Sequence, residues 1–390
     1  MTKQIIFALL VLAACKKHDA KTETAGSAAE PAKTTEPAPA GTPAAPAADG
    51  VMAAAKKAAA GCELQEGYYF KYDCEGKKDW SAFRFEAKHA ASLVAVLEEP
   101  NAGLQNMASN QMMSNADWFA NDKAMQERIL AIATKIPKDA KGGTGNQLGR
   151  AIGFFNLEKT GLFDKAKAIV ENPEANEGLR IGIVNWVLPG NQKNDAAYQL
   201  TLAQAKQTAE PKLRTAALVA LSAGYAAHAA DICPIWLDSL EKLDDRPGAM
   251  IASHLTIGDL QVNNQHEAFP YNWAMISSDD NRCPDATVDA ALDIIDKRMT
   301  AGVQDSWWVT ALKGPAKAKN ATAGHKQKAT AIATKYFNNS KNSAYQRGNA
   351  LEVIAALDPV AGKALATKVA DDKDLKDAAA RVLKRLASNP

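Results

Sequence analysis

A basic residue ahead of a run of small and apolar residues recurs along this chain at a near-constant interval, and it limits the architecture more than any other feature. Leu213-Arg214 is followed by Thr215 to Leu221, and Leu179-Arg180 by Ile181 to Val187. Gln346-Arg347 runs on to Leu351, and Leu375-Lys376 to Leu383. Arg180 and Arg214 are 34 positions apart, Arg214 and Arg347 are 133 apart, or about four intervals of 33, and Lys376 follows Arg347 by 29. A unit of that size is one supersecondary element that buries its apolar face only by stacking on its neighbours. Within the copies apolar residues fall three and four apart, the spacing of a helix face. Composition agrees: 47% of residues are hydrophobic but only 6% aromatic, so alanine, the strongest helix former, supplies much of the apolar count.

The same periodicity predicts helices at 123–136, 146–159, 162–171, 177–188, 196–209, 212–223, 343–357, 359–370 and 372–387. Asp358 before Pro359 places a capping side chain ahead of a proline at the first helical position. The expected fold class is all-α: a solenoid of stacked antiparallel helix pairs over 121–390, behind a capping region at 61–120. A second helix opening with arginine or lysine ahead of a small-and-apolar stripe resembles the HEAT-repeat family, over about residues 120 to 390. The aspartate that family usually places ahead of the arginine is absent from several copies. A 34-residue period also suits tetratricopeptide repeats, but no W-x2-L-G-x2-Y pattern opens any unit. A non-repeating helical bundle is the other alternative.

At the N-terminus, Lys3, an apolar stretch from Ile5 to Leu12 and then Leu12-Ala13-Ala14-Cys15 resemble a bacterial lipoprotein signal. The apolar run from Ile5 to Ala14 is about half the ~20 residues a spanning helix needs. The resemblance implies removal of residues 1–14, lipid on Cys15, and, with Lys16 next, an outer-membrane anchor facing the periplasm of a bacterial envelope. Residues 16–60 hold 17 alanines and 5 prolines, and no aromatic residue lies between Phe7 and Tyr68. Such a stretch buries too little apolar surface to offset the entropy of ordering it, so 15–60 is expected to be a disordered tether.

With Cys15 lipidated, Cys62, Cys74, Cys233 and Cys283 form an even set in an oxidising compartment, which predicts two disulfides. Three connectivities are open; Cys62–Cys74 with Cys233–Cys283 is preferred because neighbours in an array are neighbours in sequence. Between the first two cysteines and just after them crowd Tyr68, Tyr69, Phe70, Tyr72, Trp80, Phe83 and Phe85, read as a cap over the first repeat, with partial strand-like alternation from Trp80 to Phe85.

The common catalytic signatures HExxH, GxSxG, the phosphate-binding lysine loop and GxGxxG are absent. Gly142-Gly143-Thr144-Gly145 lacks the lysine of a phosphate loop and reads as an inter-helix connection. Asp279-Asp280-Asn281 lacks the spacing of a calcium loop, and the histidines lack metal-binding spacing. No cofactor, no metal and no enzymatic activity are expected. The runner-up is a cell-wall or polysaccharide-acting enzyme built on the same helical scaffold.

Formal net charge is only +2, which with export argues against nucleic acid as a partner. The near-balance hides a polar chain. Residues 229–296 hold 13 acids against three bases, while 306–351 hold eight bases and no acid. Two readings are open: oppositely charged repeats attract one another, or the basic segment binds a partner. In the second, Lys313, Lys317, Lys319, Lys326 and Lys328 supply charge and the tandem Trp307-Trp308 supplies contact area. The expected function is a lipid-anchored binding scaffold for an envelope protein or an anionic envelope polymer. Its oligomeric state is open.

Overall fold

The repeated arginine reaches back to the end of the helix before it, and this contact explains the period. In the computed structural model the described residues run from 50 to 388, without 61, 63, 66–67, 71–74, 141–142, 192–193, 258–282, 302–306 and 318–320. Side chains at some further positions, among them 64–65, 68–70, 307 and 317, are also not described. Contacts divide the chain into two units, Met1–Ala45 and Pro46–Pro390, and everything described here lies in the second.

The fold is all-α apart from one small ribbon. First come α1 (Val51–Ala60), an antiparallel pair of strands β1 (Leu64–Gln65) and β2 (Tyr68–Phe70), and α2 (Glu75–Ala82). Helix pairs follow: α3 (Ala90–Glu98) with α4 (Ala102–Ser114), then α5 (Lys123–Ala133) with α6 (Thr144–Gly153). The short α7 (Leu157–Thr160) leads into α8 (Phe163–Glu171) with α9 (Glu177–Gly190), and α10 (Asp195–Lys206) with α11 (Pro211–Ala220). Next are α12 (Tyr225–Leu240) with α13 (Asp245–Ile257), and α14 (Asp285–Thr300) with α15 (Trp307–Ala311), followed by the short α16 (Gly314–Lys317) against α13. The last pairs are α17 (Ala323–Asn338) with α18 (Ala344–Leu357), and α19 (Pro359–Lys368) with α20 (Lys376–Ser388). Second helices stack in one unbroken ladder, α4 on α6, α9, α11, α13, α15, α18 and α20 in turn.

Arg180, Arg214 and Arg347 occupy the same place in that ladder. Each donates Nε–H to a carbonyl at or near the end of the preceding first helix: Arg180 to Val170 O at 2.7 Å, Arg214 to Ala205 O at 3.2 Å, Arg347 to Phe337 O at 2.9 Å. Those carbonyls have no partner within their own helix, so the guanidinium serves as a C-cap from outside. Arg180 also holds Glu210 through both guanidinium nitrogens, one at 2.7 Å, which keeps the Glu210 carboxyl below its ordinary range. Lys376, at the fourth of these positions, is exposed. Asn176, Ser343 and Asp358 cap α9, α18 and α19 by accepting from Leu179 N, Gln346 N and Ala361 N at 3.1, 3.2 and 2.9 Å.

Where the arginine is missing, the fold substitutes for it. Gly248 stands at the equivalent point of α13, and a β-carbon there would lie 2.8 Å from the indole of Trp308. Arg298, from the next unit, donates to Leu243 O at 2.9 Å and Glu241 O at 3.3 Å beyond the end of α12. Its guanidinium lies 5.0 Å above the Trp308 ring.

Helices α6 and α9 meet through glycine. Gly145, Gly149 and Gly153 form one stripe at four-residue spacing, opposed by Gly178, Gly182 and Trp186, each 33 residues on. A β-carbon on Gly149 would lie 2.8 Å from Ile183 N, and one on Gly182 2.9 Å from Arg150 N. The backbones are in contact, and any side chain would part them.

Three expectations change. Residues 51–60 are not tether: Val51, Ala55 and Ala58 are buried, and α1 packs on α2, α3 and α4. Small alanine side chains permit this close approach, with Ala58 O 2.5 Å from where a Gly76 β-carbon would stand. Trp80 lies in a helix rather than a strand, edge-on to Phe85 at 4.7 Å, and Phe83 and His89 complete a cluster packed on the core. The single helix expected at 146–159 breaks after Gly153, and Asn156 caps the short α7.

Cys233 in α12 and Cys283 just before α14 are joined in a disulfide and fully buried. Cys62 is also disulfide-bonded. Cys74 and Cys15 lie outside the described residues.

Candidate binding surface

The expected binding segment is held by the rest of the array. Trp308 is fully buried, so it supplies core packing, not contact area, and this corrects the expectation. Lys328 is likewise engaged: its Nζ lies 2.8 Å from Asp293 Oδ1 and 3.8 Å from Asp289 Oδ1, and donates to Asp289 O at 2.9 Å. Lys313 lies 3.8 Å from Glu352, and Lys335 2.9 Å from Asp296. Acids of α14 thus meet bases of α17 one repeat on, as attraction between oppositely charged repeats requires. Lys326 is half-buried on α17 beside His325, which is buried and 3.7 Å from Asp289. The side chains of Trp307, Lys317 and Lys319 lie outside the described residues, as do Asp279, Asp280, Asn281 and His266.

Elsewhere among the described residues, two clefts lie along the first helices. One, of about 800 Å³, lies between the α3–α4 turn and α5, lined by Pro100, Ile132, Ile136 and Pro137 with Gln105, Lys135, Asp139 and Thr144 at its polar edge. The other, of about 350 Å³, lies between α5 and α8, lined by Leu130, Ile169, Ala168 and Ala175. Ala131 lines both. Paired ions edge each cleft. Arg128 donates twice to Glu98, at 2.8 Å each, which strengthens its hold on its proton, and Lys165 lies 3.5 Å from Glu127.

Thr144, the first residue of α6, is 3% exposed, and its hydroxyl is buried with no hydrogen-bond partner. Gly143 before it has φ +74° and supplies no side-chain cap to the helix. The glycine-rich connection in the sequence was the available signal for this corner; neither cleft was legible, because each is formed by residues from different repeats.

A third cluster lies where α12 leaves helical geometry at His228. The His228 ring stacks on Tyr198 at 3.6 Å, and the Tyr198 hydroxyl donates to Asp231 at 3.5 Å. Burial, then the Asp231 charge, pushes the Tyr198 hydroxyl up to about 12, so it remains a protonated donor. Among the described residues no group of His, Cys, Asp and Glu is placed to hold a metal, and no helix is long and apolar enough to cross a membrane.

No protein-family model matches the chain, and the comparison with curated proteins found no match. Among solved structures, the chain aligns with a crystal structure of an engineered protein at 15% identity and a TM-score of 0.40, over 81% of this chain and 85% of that one.

Proposed function

We propose that this chain is a lipid-anchored scaffold of the bacterial envelope that binds an extended protein segment across its first helix pairs. The observation that carries this reading is the pair of clefts on either side of α5, one repeat apart and sharing Ala131. Clefts repeated along an array suit an extended partner that meets one per unit. Their apolar lining and balanced rims favour a protein segment over an anionic polymer, which needs an excess of cations. Leu12-Ala13-Ala14-Cys15 supports anchoring through lipid on Cys15, and Lys16 after it supports the periplasmic face of the outer membrane. The buried Cys233–Cys283 disulfide supports residence in an oxidising compartment.

Photo-crosslinking in intact cells tests the binding face. A photoreactive residue at Ala131 is expected to form a protein adduct that one at Gln327, exposed on α17, does not; the reverse pattern contradicts the reading. Cys15→Ser is expected to move the protein from the detergent phase to the aqueous phase.

A further inference from the structure

We infer that the larger cleft takes a carboxylate carried on an apolar body, such as the C-terminus of a peptide ending in an apolar residue. This rests on the proposed binding face and names the chemistry of its ligand.

Four observations meet at one corner. Thr144 lines the cleft, is 3% exposed, and has a hydroxyl with no hydrogen-bond partner. It opens a ten-residue helix, α6, whose N-cap residue, Gly143, supplies no side-chain cap. A helix N-terminus without a side-chain cap, with its dipole, favours an anion there. A buried hydroxyl without a partner costs stability that a ligand oxygen restores. Its recruitment by a ligand in the cleft requires a turn about χ1 to another staggered rotamer. Lys135 stands on the rim.

Charge decides which anion. Glu98 and Asp139 balance Arg128 and Lys135 around the cleft, and Arg128 is already committed to Glu98. A polyanion finds no excess of cations, whereas one carboxylate needs only the helix terminus, Thr144 and Lys135. Ile132, Ile136 and Pro137 then receive the apolar body.

The test uses the purified mature protein and two pools of N-acetylated tetrapeptides ending in Ala, Val or Leu, one with free C-termini and one C-terminally amidated. Binding is followed by amide chemical shifts, with inorganic phosphate as a third probe. The free-acid pool is expected to bind at least tenfold more tightly than the amides, shifting the signals of Thr144 and Gly145. Thr144→Val, isosteric at a hydroxyl with no partner to lose, is expected to fold normally and weaken acid binding about tenfold, and Lys135→Gln to weaken it less. Equal binding of acids and amides overturns the carboxylate inference while leaving the cleft as a binding face. Binding of neither pool overturns it too, and the Ala131 adduct then judges the face separately. Phosphate competing at the same affinity as the acids also overturns it, by showing an oxyanion site indifferent to the apolar body.

Discussion

The α-carbon of Gly182 lies 3.0 Å from where a β-carbon on Gly149 would stand, so α6 and α9 touch through main chain. Gly149→Ala is therefore expected to force the helices apart and to destabilise the fold by about 1–3 kcal/mol in urea unfolding. Gly324→Ala is the control. Its nearest neighbour would be Thr322 Oγ1 at 3.7 Å, and removing glycine from a helix there should be neutral or stabilise by up to about 1 kcal/mol.

Arg180 joins Val170 O to Glu210, which predicts two effects of Arg180→Met. Stability should fall by roughly 2–3 kcal/mol, because the change removes charged hydrogen bonds and leaves a buried carbonyl without its donor. Glu210 has a lowered folded pKa, so its contribution is present above its ordinary 4.5 and disappears as pH falls through the folded value. Denaturant midpoints across that acid range should therefore show a shallower decline in the variant than in the parent.

His254 is fully buried against Trp236, and burial alone lowers its pKa from 6.5 to about 3. The unfolded chain takes up this proton below about 6.5 while the folded chain does not, so folding stability declines from there toward pH 3. The slope is at most about 1.4 kcal/mol per pH unit for one proton. His254→Phe is expected to flatten the stability profile between pH 6.5 and 4.5; an unchanged slope would show that the imidazole is protonated in the fold.

Cys233 and Cys283 are 50 residues apart in sequence, and closing that loop restricts the unfolded chain. The pair Cys233→Ala with Cys283→Ala should lower stability by roughly 4 kcal/mol. Reduction of the native protein should be slow, since both sulfurs are buried, and should accelerate in denaturant.

How much of this was legible in the sequence depends on the range of the interaction responsible. Helices α9 and α18 were readable from apolar spacing within a few residues, and α19 also from Asp358, which caps a group three residues on. The recurring arginine was visible, but its purpose was not, since the carbonyl it meets belongs to another helix. Alanine-rich α1 carried no apolar periodicity to distinguish a packed helix from a tether, because alanine occupies its buried and exposed faces alike. The Gly145, Gly149 and Gly153 stripe was present in the sequence, yet only a partner 33 residues away gives it meaning. The basic segment likewise takes its meaning from another repeat. Its charge is plain along the chain, while the acids that pair with Lys328 stand in α14, one repeat earlier.

Charge reversal at Lys328, with stability and partner binding read on the same protein, tests most directly where this array binds. Lys328→Glu sets a carboxylate against Asp289 and Asp293, and is expected to lower Tm, with Asp293→Lys in the same chain restoring part of the loss. Below the melting transition, the adduct formed from a photoreactive residue at Ala131 should be undiminished. An unchanged Tm together with loss of the adduct would contradict the account, and would place the partner on the basic segment instead of the clefts.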